Sequence, residues 1–333
     1  MPNRRQLKTT IILIVFSLML FGFVGNGVQA SEYTIRIAHC MPTNHPYHKA
    51  CQEFQEILSE NTNGRLKVII YPQEQLGTEQ DITELVSAGQ LEMGCVWSGT
   101  FEQFYPSTAV TQLPYLFDSW EHYWQVIDSE IGEKIFKPLK EDDILVLPSF
   151  VNGLYNLLST KEIREPKDLK GAKFRIAPSA ILSVMFTNYG AVVAPMPFGE
   201  VYTALQMGTI DGDFQNSVNA WSNSFHEVAG YITEVEACYF MQSLIMNGSF
   251  YNKLSEEDQK AIKEAALEAA IWQRNNHQEA IADAVRLLKE NGMEYIAVDK
   301  EIWRESVQPV YDHFYKKYPE WENIVREIRD FGK

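Results

Sequence analysis

Apolar and polar positions alternate with period two over residues 33–39, the pattern of a half-buried strand. Tyr47, Ala50, Cys51, Phe54, Ile57 and Leu58 then recur at helical spacing until Gly64, where the helix stops. Residues 66–71 read as the next strand. A short helix with Ile82, Leu85 and Val86 inward closes at Gly89, and residues 93–97 read as a third strand. This is βαβαβ, which predicts a parallel sheet whose ligands sit beyond the carboxyl ends of its strands. The loops beginning at Cys40, Pro72 and Trp97 are therefore the ones expected to face a ligand.

A second unit follows a strand at 145–147, with a strand predicted at 173–177, a helix at 179–189 and a further strand at 191–196. No Gly/Ser-rich or Pro-rich linker separates the two units. Residues 150–158 instead read as extended chain, as expected where strands cross between two lobes and act as a hinge. Residues 255–291 form an almost uninterrupted helical pattern rich in Ala, Glu and Lys, with Ser255 as cap and Glu257 and Asp258 in the first turn. A helix of that length either runs across both lobes or breaks near 274–277. The tail, 301–331, carries Trp303, Tyr311, Phe314, Tyr315, Tyr318 and Trp321 at helical spacing, a stripe read as core packing.

The first thirty residues have another character. Arg4, Arg5 and Lys8 precede an apolar run at 11–24, and Val28-Gln29-Ala30 places small residues at the −3 and −1 positions of a cleavage site after Ala30. Residues 1–30 thus read as a signal peptide. The run is shorter than the roughly 20 residues of a spanning helix, so the mature chain is expected free in a periplasm, an uncleaved anchor being the alternative. Cys40 lies too far beyond the site to be a lipidated first residue. Loss of this segment, which holds three of the 29 Lys and Arg and none of the 44 Asp and Glu, takes the formal net charge from −15 to −18. No charge run is basic, which excludes nucleic acid as a partner. About 300 mature residues with 45% hydrophobic content can fill more than one core.

Catalytic signatures are missing: there is no G-x-S-x-G, H-E-x-x-H or P-loop, and the one G-x-x-G-x-G, at 22–27, falls in the segment to be cleaved. No cofactor and no metal are expected. Cys40, Cys51, Cys95 and Cys238 show no C-x-x-C spacing and read as buried thiols, although an export compartment permits one bridge of unassignable connectivity. His45 and His48 flank a helix start at Pro46 but lack a third ligand, so they read as a loop contact and a partly exposed helical residue. Asp211 and Asp213, beside Gly212, read as shaping a turn.

Specificity comes from DLKGAKFRIAPSA at 168–180 and AVVAPMPFGEVYTALQMGTIDGDFQNS at 191–217, joined by TNGRLKVIIYPQEQLG at 62–77, QLPYLF at 112–117 and LSEEDQKAI at 254–262. In order and spacing these runs resemble the DctP-type solute-binding proteins of TRAP transporters. The resemblance implies two α/β lobes, a hinge of crossing strands, a long helix bridging them and ligand capture by closure. The lobes are expected at 31–152 plus about 241–280 and at 153–240 plus about 281–333. Arg175 matches the family arginine that grips a ligand carboxylate, a task suited to a planar fork of N–H donors that stays charged when desolvated.

Departures shape the expected ligand. Tyr155 stands where the sialic-acid branch has a second arginine, and Phe214-Gln215 replaces a Glu-Asn pair. Phe198 matches an aromatic that packs on ligand, while Glu74 and Trp97 lie on cleft-facing loops. One cation, Arg175, beside Phe198 and Trp97, joined by Phe214 and Tyr155 where these face the cleft, predicts a monocarboxylate with an apolar or aromatic body, oriented further by Gln215, Asn216 and His45; core packing is the equal alternative for Phe198 and Phe214. The expected role is that of a non-enzymatic, monomeric subunit delivering a small organic acid to membrane permease subunits. The alternatives are a periplasmic enzyme, a ligand-sensing adaptor, or a dicarboxylate or sugar-acid binder on the same fold.

Overall fold

The computed structural model describes residues 33–332; the expected signal peptide lies outside them. Strands β1 (Tyr33–Ala38), β2 (Leu66–Tyr71) and β3 (Met93–Trp97) alternate with helices α1 (Pro46–Asn61) and α2 (Glu79–Ser87), and β1 pairs in parallel with both other strands. Local chemistry starts each helix. The His45 ring caps α1 by accepting from the Tyr47 N–H, with Pro46 in the first turn, and Thr78 and Asp81 form a reciprocal capping box on α2. Helices α3 (Trp120–Ile127) and α4 (Glu130–Phe136) then lead into β4 (Ile144–Ser159).

The second unit comprises β5 (Lys173–Ile176), α5 (Ala180–Asn188), β6 (Val192–Pro195), α6 (Val201–Gln206), β7 (Gly212–Gln215) and α7 (Ser217–Ser222). A 17-residue strand, β8 (Tyr231–Asn247), returns the chain to the first. After it come α8 (Gly248–Lys253), α9 (Glu256–Glu290), β9 (Glu294–Ile296), and α10 (Lys300–Ser306), α11 (Gln308–Lys317) and α12 (Trp321–Asp330).

All strands join one sheet in the order β2-β1-β3-β8-β4-β7-β5-β6, with β9 on the first residues of β8. The sheet is mixed rather than parallel throughout, because β4 and β8 enter antiparallel to one another and to their other principal neighbours. Their pairing has irregularities at Leu147/Phe150, Val151/Gly153 and Tyr155/Leu157. The early part of β4 and the late part of β8 lie with β1–β3, whereas the late part of β4 and the early part of β8 lie with β7 and β9. These crossing strands define two lobes and the hinge between them; Val151 pairs with Met241 and Gly153 with Phe240 where the lobe boundary was expected.

Helix α9 bridges the lobes without a break. Its 35 residues span about 50 Å. Ala261, Ile262, Ala265, Ala266, Ala269 and Ala270 pack in one core with Phe54 and Leu58 of α1, and Leu288, about five turns beyond Ala270, packs with Val201, Leu205 and Phe225 of the second lobe. Between these ends the Gln273 amide donates to the Val151 carbonyl and accepts from the Val151 N–H. Arg274 donates to the Ser149 carbonyl and lies 3.4 Å from the Trp124 ring centroid. The tail aromatics are core as expected: Trp303, Tyr311, Phe314 and Trp321 are buried, with Tyr315 and Tyr318 packed against them. All four cysteines are buried and free. Among the described residues no helix is long and apolar enough to cross a membrane.

Candidate functional site

Alternation along β5 turns Phe174 and Ile176 into the core, where Phe174 stacks on Phe186, and sends Arg175 to the opposite face. Arg175 is 3% exposed. Strand register sets it beside Asp213 of β7, and its Nη1 donates to Asp213 Oδ1 at 3.1 Å. Its Nε and Nη2 both donate to the Met196 carbonyl, at 3.1 and 3.0 Å. A guanidinium carries five N–H groups; one on Nη1 and one on Nη2 therefore have no acceptor among the described residues. That terminal pair is the edge that takes a carboxylate with two parallel hydrogen bonds. Burial raises the Asp213 carboxyl even with the guanidinium beside it. Neither acid of the pair read as shaping a turn bonds within one: Asp211 ties the approach to β7 to β5 by accepting from the Lys173 N–H, and Asp213 is a fully buried strand residue.

The first lobe faces this arginine with acids. Glu79, the first residue of α2, accepts through Oε1 from the Trp97 N–H at 2.9 Å and from the Gln242 amide at 2.8 Å, and burial raises its carboxyl. The Trp97 ring packs edge-on to Phe240, over Gly99, where an added Cβ would come within 2.1 Å of the indole. Its indole N–H is buried and has no protein acceptor. Glu74 reaches across the lobes to the Gly199 N–H at 3.3 Å, and Phe198 lies 5.8 Å from the Arg175 guanidinium carbon. Glu74, Glu79, Trp97, Thr100, Arg175 and Phe198 enclose a cavity of about 30 Å³ between the lobes.

The remaining sequence-derived candidates do not line that cavity; all but Phe214 form a buried hydrogen-bonded chain behind it. The His45 imidazole, whose Nδ1 accepts from the Tyr47 N–H, donates through Nε2 to Asn219 Oδ1 at 2.8 Å. Asn219 donates to Gln215, whose amide reaches Asp213 at 3.3 Å. Asn216 donates to both oxygens of Asn152, Tyr155 donates to Asn152 Oδ1, and Asn152 donates to Gln242, the partner of Glu79. The chain thus links both lobes from His45 to Glu79.

Several expectations are corrected. Phe214 faces away from Asp213 and Gln215 and packs edge-on against Tyr155, Phe186 and Phe240, so it belongs to the core and the wall is not predominantly aromatic. His48 is buried against His39 at 3.1 Å rather than partly exposed, because α1 lies flat on the sheet. No group of three His, Cys, Asp or Glu among the described residues could hold a metal. Sequence reasoning missed Glu79, although it marked the loop at Pro72; an acid at a first helical position looks like an ordinary partner of the helix dipole.

Two lobes on a strand hinge, closing a small cavity around one buried guanidinium, define a periplasmic binding-protein type of molecule. Residues 37–318 match the family described as bacterial extracellular solute-binding protein, family 7, and the chain belongs to this DctP family. It is similar to a TRAP periplasmic solute-binding protein from Chromohalobacter salexigens with bound D-glucuronate, at 31% identity and TM-score 0.86 over 89% of this chain and 99% of that one. A Sulfitobacter counterpart with bound β-D-galacturonate is similar at 27% identity and TM-score 0.87, covering 90% of this chain and 100% of that one. One from Sulfurospirillum deleyianum with bound succinate is similar at 26% identity and TM-score 0.85, covering 90% and 99%.

Proposed function

We propose that this chain, exported and freed of residues 1–30, captures a hydroxylated monocarboxylate by lobe closure, the lobes parting to admit it because the shut cavity holds only about 30 Å³, and, as a monomer, delivers it to the membrane subunits of a TRAP transporter. Nothing in that role requires a bond to be made or broken. The observation that carries the reading is the combination in one cavity of the free edge of Arg175 with the buried carboxylate of Glu79. The guanidinium takes one carboxylate. A second carboxylate would enter a space whose single cation is already shared with Asp213, and an unpaired buried charge costs several kcal/mol even after relaxation.

Glu79 changes the expected body of the ligand from apolar to hydroxylated. Glu79 and the unpartnered Trp97 N–H offer an acceptor and a donor; an apolar group against them would leave buried polar atoms unmatched, at about 1–3 kcal/mol each. Hydroxyls match both, while Phe198 and Trp97 supply apolar surface for a ring. The glucuronate and galacturonate in similar proteins support this class, and the succinate in the third is its direct competitor.

A thermal-shift and calorimetry panel tests the reading. D-glucuronate, D-galacturonate and D-erythronate should stabilise the protein more than succinate or aromatic and branched monocarboxylates do. Succinate binding tightly while the sugar acids have no effect would overturn the substrate class and leave family membership intact. Arg175→Ala should lose about 3 kcal/mol or more of binding, because the ligand carboxylate is left desolvated and unpaired. Arg175→Lys should restore part of it, since an ammonium keeps the charge and loses the fork.

A further inference from the structure

We propose that Glu74 is the latch of the closed cleft, a positioning residue that holds the lobes shut behind the solute rather than a residue that grips it. The proposal rests on the closure reading above.

Placement is the first ground. Glu74 and Phe198 border both the inner cavity with Arg175 and an outer crevice of about 320 Å³, which Cys40 and Pro42 of the first lobe share with Tyr202 and Asn223 of the second. The Glu74 carboxylate therefore stands in the wall between the solute space and the mouth. Its carboxylate accepts from a backbone N–H of the other lobe, that of Gly199.

Backbone geometry is the second ground. Gln73 and Glu74 are consecutive non-glycine residues in the left-handed region, at φ +55° and +56°. Such residues persist only where their surroundings over-determine them. Here the Gln73 N–H donates to the Met41 carbonyl and the Glu74 N–H to the His39 carbonyl, which locks the loop so that the Glu74 side chain projects across the mouth.

Gly199 supplies the complementary half. It is not among the glycines with positive φ, so its backbone conformation is open to other residues. What glycine provides is room: an added Cβ would lie 2.3 Å from Glu74 Oε2 and 3.2 Å from its Cδ. Any side chain at 199 displaces the carboxylate and breaks the bond to its own N–H. Two unlike substitutions on opposite lobes should therefore remove the same interaction.

That equivalence supplies the experiment. Glu74→Ala, Gly199→Ala and the double variant are compared with wild type by stopped-flow dissociation of D-glucuronate, D-galacturonate and succinate. Spin labels on exposed Gln52→Cys and Met207→Cys report lobe separation in the same proteins. Gly199 is exposed, in a single short 3-10 turn (Phe198–Glu200) without positive φ, so its variant should fold. Each single variant should dissociate about tenfold faster, as for loss of one hydrogen bond to a charged group. The double variant should be no worse than either single one, and the ranking of the three acids should not change. Additive losses, an unaltered rate in Gly199→Ala, or a changed ranking in Glu74→Ala would overturn the latch; the last would make Glu74 a ligand contact. If wild type binds none of the three acids, the substrate reading fails by itself. The closed fraction without acid then decides the latch: a drop in both variants supports it, and equal fractions overturn it.

Discussion

Burial holds the rings of His39, His45 and His277 neutral, pushing their pKa values down to about 3, about 3 and about 4. For His45 the hydrogen bonds agree: a ring that accepts at Nδ1 and donates at Nε2 has no place for a second proton. For His277 the consequence can be isolated, because the ring lies edge-on to Trp120 and its Nε2 has no partner among the described residues. Unfolded histidine titrates near 6.5, so between about pH 6.5 and about pH 4 the unfolded chain binds one more proton at this position than the folded one. Stability therefore falls on acidification through that window, by up to about 1.4 kcal/mol per pH unit from this residue. His277→Phe keeps the packing and removes the proton site. The pH slope of urea-unfolding free energy should be shallower in the variant by that amount, and identical slopes would show the ring to be charged or exposed. At this scale the sequence was partly legible. The face of Arg175 followed from its neighbours, whereas Phe214 stayed open between core and cleft because residues 211–213 read as a turn. Once β7 is a strand, parity puts Asp213 and Gln215 together and Phe214 opposite.

Among the elements, the ones with a period were readable and the ones buried on both faces were not. α1, α2 and α9 declared themselves by caps, apolar spacing and alanine content. β8 did not, because residues 237–247 are almost continuously buried and mix Phe240, Met241 and Leu244 with Gln242, Ser243 and Asn247. A strand covered on both sides loses the alternation that identifies it. Gln242 is satisfied only by distant partners, bonding to Glu79, Asn152 and the Cys95 carbonyl. The junction of helix and hinge makes a prediction. Gln273 of α9 satisfies both backbone groups of Val151 at an irregular point of β4, where the sheet leaves that edge without a strand. Gln273→Ala strands a buried N–H and C=O and should cost about 1–3 kcal/mol in denaturant unfolding. Gln273→Glu, which keeps the acceptor and loses the donor, should cost no less, since it adds buried charge. A change below about 0.5 kcal/mol for the alanine variant would mean that water replaces the amide.

Among the described residues the chain passes between the lobes along β4, β8 and α9, and neither lobe is a continuous stretch of sequence. Two-domain proteins joined by a flexible linker commonly melt in two steps, each domain surviving the loss of the other. Here α9 supplies core to both: its alanine stripe completes the packing of α1, and Leu288 fills the far end among Val201, Leu205 and Phe225. Unfolding one lobe would unwind the shared helix and expose the other's interior, so the two are expected to form a single cooperative unit. Calorimetry should give one endotherm whose van't Hoff and calorimetric enthalpies agree, with or without bound acid, and separated endotherms would contradict it. A joint flexible enough to open and shut is thus also the seam that makes the molecule melt as one body, so weakening either half should lower the survival of both.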